Sequence, residues 1–415
     1  IQPTQLPDPT YSLLIGTADP KVWRDGLALL GRIVMARGPG IETDENEVAN
    51  LNLDTLRWIE PLEDPSILPR TTTWSVGAPP PGEVGQWVNL RVGLDIYNAS
   101  DTTPDQNQIG YTLPAAGWQV EPSPQPTPRL LMYQVQRQDV RARIDPLRAQ
   151  KAEHAPTQLQ FQSGFDGSKT PVEFVVPVTV SVRRSTPLNI NGSLSPSEWV
   201  AEDALQRGPL VKMFSRPALQ KHQIERSSHP TEIYSGWSDT DFYLAFRLAG
   251  ISERRNAARN FVEYQYRRAW SEDLCQMVVQ AVYEDGTLGP LVHIALKPGG
   301  NLWTERRLDP RLVANPWQSF ESGMRYSSSV SDAIWRGELA IPWKALIADE
   351  KTAEFSAAGR PNRPAMLKFN FVQHSREDGE SASWAGPIDA GRDDAFTGVV
   401  VLKEPEAILP ADNAR

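Results

Sequence analysis

Val88, Leu90, Val92, Leu94 and Ile96 alternate with polar residues, and Val172, Phe174, Val176, Val178, Val180 and Val182 do the same. A period of two puts each apolar side chain on one face of an extended chain, so both runs read as half-buried β-strands. Phe242, Leu244, Phe246 and Leu248 repeat the pattern after the turn-forming run Ser238-Asp239-Thr240-Asp241. Leu274–Val282, Trp335–Trp343, Lys368–His374 and Phe396–Leu402 are further extended runs. The 36 prolines and 28 glycines punctuate the chain between them. The expectation is an all-β protein of short strands and tight turns. At 415 residues it exceeds what one core fills, which predicts several domains.

Four segments follow. Residues 1–81 form an N-terminal arm or the remnant of a preceding domain, ending in a proline-rich linker. Within it Asp19 and Pro20 cap a helix over Val22–Met35, whose Leu27, Leu30, Ile33 and Val34 face should dock on another domain or protein chain. Residues 82–184 read as an immunoglobulin-like sandwich closed by the strand containing Pro177, which has no N–H to donate and predicts an edge or a bulge. Residues 185–403 form a second, larger segment of strands, and 404–415 a flexible tail.

The formal charge of −9 argues against nucleic acid or an anionic membrane surface as partner. No stretch approaches the roughly 18–20 apolar residues of a membrane span. Cys275 is the single cysteine, so an intrachain disulfide and a cysteine zinc cluster are excluded. We read Ile1 as the start of a processed chain, exported by a bacterium to its periplasm, surface or surroundings. Gly-x-Ser-x-Gly, HExxH, P-loop and dinucleotide fingerprints are missing, so no catalytic role and no cofactor are expected.

Six segments in order carry a resemblance. They are Ile190-Asn191-Gly192-Ser193-Leu194 with Trp199; Trp237 to Leu244; Trp270 to Gln276; Glu338-Leu339-Ala340-Ile341-Pro342-Trp343; Lys368-Phe369-Asn370-Phe371; and Phe396 to Leu402. Together they resemble carbohydrate-binding module family 9 over about 186–403, which implies a larger β-sandwich for residues 185–403. Asn98, Leu113-Pro114 and Gly117-Trp118-Gln119-Val120 resemble the immunoglobulin-like modules attached to bacterial glycosidases.

The resemblance implies a sugar ring clamped between two tryptophans, because a pyranose offers an apolar C–H face to an indole and hydroxyls to polar side chains. Trp270 falls at the first platform, with Asp273 in the same motif, and Gln276 replaces a hydroxyl-binding glutamate. Gly391 stands where the second indole belongs, which leaves Trp384, seven residues earlier, as the candidate. One stacked ring face contributes roughly 2 kcal/mol, so weak carbohydrate binding is expected, with a dissociation constant on the order of 1 mM.

Two alternatives stay open. The sandwich can be a structural or assembly protein of a bacterial surface without a ligand. It can also hold haem b through His293, His374 or Met277, the haem-binding relatives being part of what the resemblance implies. Asp389, Asp393 and Asp394 leave structural calcium open.

Overall fold

In the computed structural model, residues 176–404 are described except 213–224, 252–272, 309–316, 348–363, 376–378 and 386–396, together with the strands between 67 and 174 and a few residues beside them. The Val22–Met35 helix, Trp270 and the three aspartates proposed for calcium lie outside the described residues.

Among the described residues, two antiparallel four-stranded sheets occupy the first part. Strand β1 (Ile67–Gly77) pairs along its length with β2 (Val88–Asn98). This corrects the proline-rich linker expected at the end of the 1–81 segment. The run Thr71-Thr72-Thr73-Trp74-Ser75-Val76 is β-branched and aromatic and favours a strand despite its flanking prolines. Pro69 is accommodated at a register shift between Pro69 and Thr71. The second sheet contains β3 (Asn107–Thr112), β7 (Thr157–Gln162) and β8 (Lys169–Phe174).

Among the described residues, the larger unit is one 13-stranded sheet curled on itself. One half contains β10 (Ala204–Lys212), β11 (Arg226–Trp237), β12 (Asp241–Ala249), β18 (Ile334–Pro342) and β17 (Arg325–Ser331). The other contains β16 (Trp317–Ser319), β15 (Leu302–Arg307), β14 (Leu288–Leu296), β13 (Leu274–Val282), β19 (Met366–His374) and β21 (Gly398–Lys403). Short β20 (Ser381–Ser383) pairs with both β19 and β10 and joins the halves.

The halves face each other across a single core. Phe242, Leu244, Phe246 and Leu248 of β12 meet Met277, Val279, Ile294, Phe369 and Phe371 in it. Phe246 stands edge-on to Phe371 with centroids 5.5 Å apart. The β-sandwich predicted for this half of the chain is therefore present, and the alternation in β12 faces the core as read. Cys275 lies fully buried in that core, where desolvation pushes its thiol well above the usual range.

Several recognised motif residues prove to be pillars of this fold. Glu338 on β18 is buried, and its carboxylate accepts from the Asn191 and Gly192 amides at 2.8 and 2.7 Å and from Trp199 Nε1 at 2.9 Å. The opening motif is thus pinned to the fourth one. Gly192 takes φ +77°, and a Cβ there would stand 2.7 Å from the Ser328 backbone, so no other residue fits without a shift. Trp237 Nε1 donates to the Ser181 carbonyl and Trp343 Nε1 to that of Ser238. In the turn between them, the Ser238 hydroxyl accepts from the Asp241 amide at 3.2 Å, the local bond such residues favour.

The strand through Pro177 departs from its reading. It divides: β8 stays in the first unit, while β9 (Val178–Val182) pairs in parallel with β21 in the second. Pro177 marks the division, and its carbonyl accepts from the Val399 amide at 2.8 Å. The larger unit therefore begins near 176 rather than 185.

Candidate functional site

Because Cys275, Met277, Val279 and Ala281 enter the core, strand geometry sends Gln276, Val278 and Gln280 to the opposite, outer face of the sheet. The same parity places His293 and Ala295 of β14, Trp303 and Glu305 of β15, and Lys368, Asn370, Val372 and His374 of β19 on that face. Val278, Leu291 and Val372 form its apolar centre, with Trp317 of β16 packed against them. The floor is buried, whereas Trp303 and Trp317 are partly exposed.

A chain of polar contacts crosses this floor over five strands. Ser381 Oγ lies 2.6 Å from His374 Nδ1, and His374 Nε2 lies 3.1 Å from Gln276 Nε2. Gln276 Oε1 lies 2.8 Å from His293 Nε2, and His293 Nδ1 lies 3.5 Å from Glu305 Oε2. The chemistry of the donors fixes the protons in this arrangement. An amide NH₂ only donates, so His374 Nε2 carries a lone pair and its proton sits on Nδ1, toward Ser381. The amide oxygen only accepts, so His293 Nε2 carries a proton.

Burial lowers the His374 imidazole from 6.5 to about 4. Above pH 6.5 it is neutral both folded and unfolded. Between pH 6.5 and about 4 the unfolded chain takes up the proton first, so stability falls as pH falls. Below about 4 both states are charged and the loss stops growing. The expected loss is about 3 kcal/mol, read as the change in urea midpoint between pH 7 and 4. His374→Gln should remove most of that pH dependence.

Against this geometry, the expected site residues separate. Gln276 lies on the outer face, but its amide is held at both ends by imidazoles. Asp273 is buried just before β13 and already partnered. Trp384 is corrected: at 2% exposure it packs on Phe369 in the main core, centroids 5.3 Å apart, and has no face for a ligand. The haem reading meets a similar obstacle, since Met277 points into the core while His293 and His374 point their Nε2 atoms at the same amide.

In the sequence His293 and His374 stand out only as haem-ligand candidates, and nothing singles out Trp303 and Trp317. For the two histidines the available signal is phase, a polar residue at the off-core position of a largely apolar strand; β15 and β16 carry no such run. Among the described residues, no group of three or more His, Cys, Asp or Glu is placed to hold a metal ion.

No protein-family model and no curated protein matches the chain. Among solved structures, the chain is similar to a Bacteroides uniformis protein provisionally described as carbohydrate-binding, at 12% identity and TM-score 0.35, over 54% of this chain and 97% of that one. It is also similar to a carbohydrate-binding module of family 9 from Caldicellulosiruptor kristjanssonii. The complex with glucose gives 10% identity and TM-score 0.33, over 56% of this chain and 99% of that one. The complex with cellotriose gives 10% and 0.32, over 57% and 96%.

Proposed function

We propose that the larger sandwich is a non-catalytic carbohydrate-binding module of an exported protein, with its ligand site on the outer face of β13, β14, β15 and β19. The observation that carries the reading is the pair of partly exposed indoles, Trp303 and Trp317, on the same face as an amide, two imidazoles and a carboxylate. Indole faces stack on pyranose C–H groups, and the Glu305 carboxylate, 10% exposed, suits a hydroxyl, whereas Gln276, His293 and His374 are buried and bonded to one another beneath it. The ordered motif resemblance of residues 186–403 supports the same class. Ala295 lies between Gln276 and Trp303 in the strand register and sets a small side chain beside the Trp303 indole.

With roughly 2 kcal/mol from each stacked face, affinity for a short oligosaccharide is expected on the order of 1 mM or somewhat tighter. Retention on a panel of insoluble polysaccharides, followed by titration calorimetry with soluble fragments, tests this. Trp317→Ala should weaken binding at least tenfold and leave the near-ultraviolet circular dichroism of the buried tryptophans unchanged. If wild type is retained by no polysaccharide, the alternative of a surface assembly protein takes precedence.

A further inference from the structure

We propose that the Gln276 amide is a two-state proton relay, which couples the charge on His374 to the position of the proton on His293 and so regulates the ligand site by acid. The consequence for binding rests on the carbohydrate reading above, whereas the relay itself does not.

The geometry requires an exchange. In the state described, Gln276 donates to His374 and accepts from His293. A proton added to His374 Nε2 would face the amide NH₂, donor against donor. Rotating the amide by half a turn restores both bonds: Oε1 then accepts from His374 Nε2–H, and Nε2 donates toward His293 Nε2. That bond needs a lone pair on His293 Nε2, so the His293 proton moves to Nδ1, which faces Glu305 Oε2 at 3.5 Å. Charge and proton number balance. One proton is gained at His374, and one is relocated within His293.

The rotated state is supported by what surrounds it. Nδ1–H beside a carboxylate is a charge-assisted donor, whereas a bare Nδ1 sets a lone pair against the Glu305 oxygen. Glu305 on β15 reaches the relay directly. The other charged groups of the described elements nearby are Arg307 on β15, Lys297 at the end of β14, Asp273 before β13, Lys368 on β19 and Glu380 before β20. Lys297, Asp273 and Lys368 are buried and partnered, and Glu380 is taken up by Ser227, Ser228 and Lys212. Burial holds the His374 transition near pH 4, so the switch operates in acid. In the switched state Glu305 is drawn to His293 and away from a ligand hydroxyl between the indoles.

The test follows the imidazole nitrogens of the full chain by long-range proton–nitrogen correlation spectra from pH 7.5 to 3.5, without ligand. The five histidines are assigned by single substitution. At neutral pH His374 should carry its proton on Nδ1. As His374 gains charge, His293 should pass from its Nε2-protonated to its Nδ1-protonated pattern with the same midpoint. In Gln276→Leu the two midpoints should separate. A His293 pattern unchanged while His374 titrates would overturn the relay, as would His374 becoming charged only with loss of tertiary circular dichroism. In a second arm, polysaccharide retention should fall at least fivefold from pH 7 to 4 in wild type and stay flat in His374→Gln. A coupled switch in a protein retained at no pH would instead remove the carbohydrate reading and leave the relay standing.

Discussion

Glu338→Ala is expected to destabilise the larger sandwich by about 5 kcal/mol, comparable to the whole stability of a marginal domain. Three donors converge on this buried carboxylate: the Asn191 and Gly192 amides and the Trp199 indole. Alanine leaves all three without an acceptor, at about 1–3 kcal/mol for each buried donor, and opens a cavity besides. Trp199 also packs with Leu188, Tyr243 and Ala245 in a second apolar cluster, so freeing its indole loosens the cover over β12. Glu338→Gln keeps one oxygen but turns an NH₂ toward a donor, and about 2 kcal/mol is expected. Urea unfolding at pH 7 measures both as midpoint shifts at constant slope. An alanine variant within 1 kcal/mol of wild type would show that the opening motif is held by packing alone.

Val180→Asp should act on the second unit even though the strand was read as part of the first. Val180 is 7% exposed and its strand pairs with β21, so the variant buries a carboxylate among apolar neighbours, at an expected cost of about 4 kcal/mol. Val182→Asp, two residues on at 40% exposure, should be nearly neutral. Hydrogen exchange locates the effect. Amides of 398–403 should lose protection in Val180→Asp, while those of 88–98 keep theirs. The reverse pattern would return residues 178–182 to the first unit.

Phase along the chain was legible because it is local. The alternation of Phe242 to Leu248 states which side of β12 is apolar, whatever lies opposite. The glycine at 192 states a turn whose backbone takes a positive φ. Tryptophans 199, 237 and 343 were legible as motif residues, but the motif reported the fold rather than the site, since all three are buried and donate their indole N–H to neighbouring segments.

From its own residues the sequence determined an all-β chain and the phase of its main strands, because side-chain period and turn chemistry need no distant partner; the sandwich class of its second half came from the motif resemblance. Tertiary structure decided which strands pair and what each face meets. Gln276 lies 17 residues from His293 and 98 from His374, and cross-strand register alone brings the three together. Trp384 is a core residue because Phe369 and the backbone of Gly398 pack beside it, a fact of three-dimensional neighbours. Pro177 reads as an interruption in sequence. That the strand leaves one sheet there and joins another in parallel depends on β21, more than 200 residues away.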